Sequence, residues 1–284
     1  MEMEDLDFTQ PSESPVYDPV AAVKFFKAAG KAETIEAGKT FFVERQGGGF
    51  FGAADRMYLL LEGAVVLTLG GKSLDTVKPG EIFGDLATIT ASKRSTTATA
   101  KTACKVIALD AKQFQQAIEQ TPGFAVMLMS IMIDRIRLRL ARLTMMKAIP
   151  DTLAASERRV FDESTLNEIA RKLGNPRSLK FAAGQTIINA GEKGVLCYLV
   201  REGRVAITAA GKKIERLGVG GVFGEMALVD RSTRAANAVA ETDCALMAVN
   251  RKQFLDLVQD NPAFGLSLLK LLGQRLQAVT VQPR

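Results

Sequence analysis

The sequence predicts a mainly β fold with flanking α-helices, made of two tandem β-rolls of the double-stranded β-helix, or jelly-roll, kind. Three observations carry this. The segment EGAVVLTLGGKSLDTVKPGEIFGD at 62–85 lies without a gap on EGRVAITAAGKKIERLGVGGVFGE at 202–225, an offset of 140 residues. The same offset then pairs Arg94 with Arg234, Cys104 with Cys244, Phe114 with Phe254 and Phe124 with Phe264, which chance does not produce. Within each copy, short runs of β-forming residues alternate with Gly, Asp and Pro turn signals roughly every ten residues, the pattern of a small barrel or roll.

Residues 1–17 are acidic and poor in apolar side chains, and are expected to be a disordered tail. Asp18 then caps a helix from Pro19 to Ala29, with Gly30 as its stop. Gly38 matches Gly184 at an offset of 146, so the first copy carries six extra residues before Glu62, and the Gly-rich stretch at 46–54 is the expected insertion. The runs MYLLLEG, AVVLTL and KVIAL in the first copy, and CYLVREG, VAIT and ALMAV in the second, read as strands. From about 122 to 147 a long helix follows, with Met129, Ile133, Ile136, Leu140 and Leu143 on one seam between arginines. That seam either packs on its own roll or joins a second copy in a homodimer. Thr165 and Glu168 make a capping box closed by Gly174, which places a helix in the linker. The expected domains are therefore a first roll with its long helix at 18–147, a helical linker at 148–178, and a second roll at 179–284.

Composition narrows the function. At 284 residues and 47% apolar content the chain can bury one large core or two moderate ones, and two is the starting expectation. No apolar run approaches the roughly 20 residues that span a bilayer, and the N-terminus is acidic where a signal peptide is basic. No membrane partner and no export are expected. Cys104, Cys197 and Cys244 have no metal-like spacing and read as reduced core thiols, so the expected location is cytoplasmic. The chain has no histidine, which removes Ser-His-Asp and Cys-His catalysis and most zinc and iron sites. It also argues against an enzyme of the double-barrel cupin type, and no enzyme or metal is expected. The net charge of +6 is concentrated around Arg135, Arg137, Arg139, Arg142 and Lys147, most simply a solvated helix face, so nucleic acid is not the expected partner.

The chemistry lies in Phe223, Gly224, Glu225, Met226, Ala227 and, nine residues after Glu225, Arg234-Ala235-Ala236. Gly224 lets backbone approach an anion closely, and Arg234 adds a forked, permanent positive charge. The Glu225 carboxylate only accepts hydrogen bonds, so beside a bound nucleotide it suits a ribose hydroxyl and not a phosphate. The first copy repeats the pattern as Phe83, Gly84, Asp85, Leu86, Ala87 and then Arg94-Ser95, shortening Glu to Asp. One missing methylene withdraws that carboxylate by ~1.5 Å.

This pattern resembles the phosphate-binding cassette of the cyclic nucleotide-binding family, which includes protein kinase A regulatory subunits and the catabolite activator protein. The resemblance covers nearly the whole chain. It implies that Gly224, Glu225, Met226 and Ala227 line the ribose phosphate, with Arg234 and Ala235 closing on it, and that the first copy binds through the matching residues. In that family alanine after the arginine favours adenine and a hydroxyl residue favours guanine. Ala235 thus implies cAMP, and Ser95 leaves cGMP open at the first site. Arg137 and Arg275, on the helices that follow each roll, are candidates to stack on the base. The implied function is a cAMP receptor that signals to a separate effector protein by movement of hinge helices. The alternatives are a transcription regulator of the catabolite activator type, or a scaffold with one degenerate site. The chain ends at Arg284 with no helix-turn-helix expected, and the family's kinase-inhibitor segment is not found before Gly38.

Overall fold

Alternating apolar residues and glycine turns fold each repeat into two antiparallel sheets that enclose one core. In the computed structural model the residues described are 17–47, 56–150, 153 and 156–280. The expected disordered tail, apart from Tyr17, and most of the expected insertion lie outside them. The chain divides into two compact units, residues 1–127 and 128–284.

Unit 1 opens with α1 (Pro19–Ala29), bounded by Asp18 and Gly30 as the sequence predicts; the Asp18 carboxylate accepts from the Val20 N–H. The roll follows as β1 (Lys31–Ile35), β2 (Thr40–Phe42), β3 (Arg56–Glu62), β4 (Val65–Leu69), β5 (Lys72–Val77), β6 (Ile82–Phe83), α2 (Asp85–Thr90), β7 (Thr97–Ala100) and β8 (Cys104–Asp110). The strands form sheets of order β1-β8-β3-β6 and β2-β7-β4-β5. Phe42, Tyr58, Val65, Val77, Phe83, Ala98 and Val106, drawn from both sheets, make the core. Then come α3 (Ala111–Gln120), with a capping box between Asp110 and Gln113, and α4 (Gly123–Met145). Phe124 at the start of α4 stacks on Phe25 of α1 at 3.7 Å, which ties the helices to one another.

Unit 2 repeats the plan with β9 (Glu157–Arg158), α5 (Glu163–Lys172), β10 (Leu179–Phe181), β11 (Thr186–Ile188), β12 (Leu196–Glu202), β13 (Val205–Ala209), β14 (Lys212–Leu217), β15 (Val222–Phe223), α6 (Met226–Asp230), β16 (Asn237–Ala240), β17 (Cys244–Asn250), α7 (Arg251–Asp260) and α8 (Pro262–Thr280). Its sheets run β10-β17-β12-β15 and β11-β16-β13-β14-β9, the last strand lying parallel to β14. Even the irregularities repeat: the register slips between Leu60 and Glu62 and between Val200 and Glu202. Phe264 at the start of α8 stacks at 5.2 Å on Phe161, just before α5.

One sequence expectation is corrected. The cap of α5 is Asp162, whose carboxylate accepts from the Thr165 N–H, so the helix starts one turn earlier than Thr165 suggested. Asp competes better than Thr for the orphan N–H groups of a first turn. Of the seam at 122–147, Met129, Ile133, Ile136 and Leu140 are buried within the one chain. Leu140 packs with Ile149 and Ala209, joined by Leu143 and Ile214, and this packing draws the chain from Leu128 onward into unit 2. The repeat itself had put the boundary at 147.

Candidate functional site

The motif after β15 builds one wall of a cavity in unit 2. Gly224 adopts the left-handed φ of +80° that ends the strand, and Glu225 stands at the start of the short α6, where its side chain makes no capping bond. A side chain at Gly224 would meet the Arg234 guanidinium at 2.8 Å, so glycine is what lets the arginine lie close beneath the turn. Arg234 donates from Nη1 to the Gly224 carbonyl at 2.7 Å and from Nη2 to the Leu196 carbonyl at 2.6 Å. Its backbone is clamped as well, the N–H donating to Glu192 at 2.8 Å and the carbonyl accepting from Gly191 at 2.9 Å. Gly194 passes so near the guanidinium that a Cβ there would overlap it. Burial pushes the Arg234 pKa down, which marks a charge held in a poorly solvated place.

The cavity has a volume of about 100 Å³ and is open in part to solvent. Gly224, Glu225, Met226, Ala227, Arg234 and Ala235 line it on the cassette side. Facing them are apolar side chains, Ile136 and Leu140 from α4, Leu153, and Ile207 and Ile214 from the sheet. A polar floor with an apolar roof suits a ligand that is anionic at one end and flat and weakly polar at the other.

Beneath the cassette runs a buried ion network. Arg275 of α8 donates to the Glu225 carboxylate through Nη1, to Glu215 through Nε at 2.9 Å, and to the Val222 carbonyl through Nη2 at 2.8 Å. Arg158 of β9 pairs with Glu215 at 3.1 Å. Glu225 is 1% exposed, and among the described residues its second oxygen, Oε2, has no hydrogen-bond partner. Burial raises the Glu225 pKa, with the Arg275 charge opposing it and Glu215 reinforcing it. For Arg275, burial works against the charge, but Glu215 and Glu225 outweigh it and its pKa is raised. Arg158 is lowered by burial, which its single carboxylate partner does not offset.

The structure thus brings Phe223, Gly224, Glu225, Met226, Ala227, Arg234 and Ala235 together. Phe223 stacks on Tyr198 at 5.2 Å and belongs as much to the core as to the cavity. Arg275 lies at the cavity, but as the partner of two carboxylates and not as an open plate for a base. Arg137 departs from the base-capping expectation: it donates to Asp230 at 2.5 Å from Nε and is not among the cavity residues. In unit 1, Arg94 repeats the bonds of Arg234, donating to Gly84 O and Arg56 O at 2.7 Å each. Asp85, Leu86 and Ala87 are buried beside it. Sequence reasoning missed Glu215, Arg158, Ile136, Leu140 and Leu153. Ile136 and Leu140 stood in the apolar seam, but nothing local tied that seam to the second roll.

The cyclic nucleotide-binding domain model matches residues 34–121 and 178–261, and the chain belongs to that family, carrying two such domains. A cAMP-dependent protein kinase regulatory subunit of Schizosaccharomyces pombe is 27% identical over 90% of this chain and 54% of its own length. A cyclic AMP receptor protein of Thermus thermophilus is 35% identical over 36% of this chain and 50% of its own. The chain spans about half the length of these curated relatives. Among solved structures, the regulatory domain of Toxoplasma gondii PKA with cAMP is 22% identical, covering 84% of this chain and 86% of that one, at a TM-score of 0.32. Among the described residues no helix is long and apolar enough to cross a membrane.

Proposed function

We propose that the chain is a receptor for a cyclic mononucleotide, cAMP before cGMP, bound at the cavity of unit 2 and read out by an effector protein without turnover. One observation carries the reading: Arg234, its guanidinium anchored by two carbonyls, and buried Glu225 line the same wall of one cavity. Arg234 supplies charge to the cyclic phosphate, and Glu225 accepts from the ribose hydroxyl that a cyclic 3′,5′-phosphate leaves free. The apolar wall of Ile136, Leu140 and Ile214 takes the base. Ala235 offers no hydroxyl at the position where the family reads guanine, which supports adenine.

The same geometry supports signalling through helices. The cavity is walled by α4 and α8, so a ligand that binds better when these helices sit against it shifts their population. The tandem likeness to a kinase regulatory subunit over most of the chain favours a protein effector over DNA. Calorimetry of the full chain tests the reading. Saturable binding is expected with cAMP tighter than cGMP, and Arg234→Ala should weaken it by at least tenfold. No binding of either nucleotide, or unchanged affinity in Arg234→Ala, sinks it.

A further inference from the structure

The turn that closes α6 differs in chemistry from its counterpart in the first roll. Asp230 ends α6, and the residue 140 places earlier is Thr90, at the end of α2. Thr90 satisfies its own turn: its hydroxyl donates to the Leu86 carbonyl at 2.7 Å and shares a hydrogen bond with the Ser92 hydroxyl at 2.7 Å. A neutral hydroxyl is therefore enough to close this turn. Asp230 accepts from the Ser232 N–H at 3.0 Å, and its side chain is only 3% exposed. A carboxylate taken out of water costs stability unless a charge meets it, so the turn alone does not account for Asp230.

The charge that meets it is Arg137 of α4. Its Nε donates to Asp230 Oδ2 at 2.5 Å and its Nη2 to Oδ1 at 3.3 Å, a two-pronged contact of fixed geometry. The position 140 places after Arg137 is Gln277 on α8, so both members of the pair depart from the repeat together. Ile136, next to Arg137, and Leu140, one turn on, line the cavity from α4. Met226 and Ala227, at the opposite end of the five-residue α6 from Asp230, line it from the cassette. The ion pair thus ties the apolar roof to the cassette. From its other side α6 is held by Arg251 of α7, whose Nε donates to the Leu228 carbonyl at 2.9 Å. Leu140, by contrast, meets Ile149 and Ala209 through apolar packing, which has no directional preference.

We propose that Arg137 is a positioning residue for the ligand: its pair with Asp230 latches the α4 roof to the cassette helix, keeps Ile136 and Leu140 over the base, and sets how slowly the nucleotide leaves. The inference rests on the reading of unit 2 as a cyclic nucleotide site. Breaking a buried, hydrogen-bonded charge pair acts chiefly on release. The latch therefore predicts a split, with release faster and capture, which depends on Arg234 and the open side of the cavity, nearly unchanged.

Release of radiolabelled cAMP from the full chain, chased with unlabelled cAMP, tests it. Asp230→Thr installs the residue of the first roll, and Arg137→Gln installs the residue of α8. Each should speed release by about fivefold or more, with the association rate within about twofold of the wild type. The double variant Arg137→Gln/Asp230→Thr should release no faster than the quicker single, because all three break the same contact. Release within about twofold of the wild type in the folded singles, or effects that multiply in the double, overturns the proposal. If a single does not fold, the double decides alone, since it leaves neither charge of the pair behind, and release at the wild-type rate overturns the latch. Hydrogen exchange without nucleotide reads the latch independently: the amides of 136–140 should exchange faster in Asp230→Thr than in the wild type, and equal exchange overturns it. A wild type that binds no cAMP refutes the reading of unit 2 instead, and the exchange measurement then decides whether the pair holds the roof.

Discussion

Replacing Arg275 with alanine should cost unit 2 more stability than any other single charge change at the cassette. The side chain is 12% exposed and bonds to Glu225, Glu215 and the Val222 carbonyl, while Glu225 and Glu215 are themselves 1% and 10% exposed. Breaking a buried pair by removing one partner costs about 3–5 kcal/mol, because the charge left behind has neither water nor counterion. For a unit of this size, 1 kcal/mol moves the midpoint by about 2–4 °C, so the expected loss is roughly 6–20 °C. The pH dependence gives an independent signature. Burial raises the Glu225 pKa above its usual 4.5, so the folded chain holds that proton more tightly than the unfolded one. Its contribution to stability is then full below 4.5 and is lost as pH rises through the raised value. Arg275 opposes that rise, so Arg275→Ala pushes the upper end of the window higher and deepens the loss towards neutral pH. Urea unfolding followed by circular dichroism between pH 4 and pH 8 reads both effects. A variant that loses less than about 1 kcal/mol, with a pH profile parallel to the wild type, would show that the network is not the buried, coupled system described and would refute the reasoning.

Two further outcomes follow from the same geometry. Gly194→Ala forces a Cβ onto the Arg234 guanidinium and should weaken nucleotide binding more than tenfold in calorimetry while leaving the circular dichroism spectrum native; unchanged affinity would mean that the arginine is not held where the ligand needs it. The thiols of Cys104, Cys197 and Cys244 are all buried, with burial pushing the Cys197 pKa up, so a thiol reagent should label none in the native chain and three in urea. Rapid native labelling of Cys197 would contradict its place behind the cassette.

Much of this was legible in the residues. Gly224, Glu225 and Arg234 announced the cassette because they lie close in sequence: a turn glycine, an acceptor carboxylate and a fork within ten residues of one another. The 140-residue offset revealed the second roll and, through Phe124 and Phe264, even the aromatic anchors of the terminal helices. The ion network was hidden, since Arg275 meets Glu215 and Glu225 across sixty and fifty residues, and nothing local pairs them. Arg137 misled for the opposite reason, because its place on the helix after the roll was clear but its partner, Asp230, lay ninety-three residues away. Asp162 was a simpler miss, a stronger cap lying one turn ahead of a good one.

The division at 127/128 has a consequence for how the chain can be cut and how it arose. The unit of duplication, which would hand the whole of α4 to the first copy, and the unit of packing are different lengths of chain. A fragment begun at the repeat boundary would lack Ile136 and Leu140 from the roof of the cavity and the Arg137 anchor on Asp230. A second-roll fragment that keeps this pocket wall must therefore reach back past Ile136, into residues that the repeat counts as the first copy's tail.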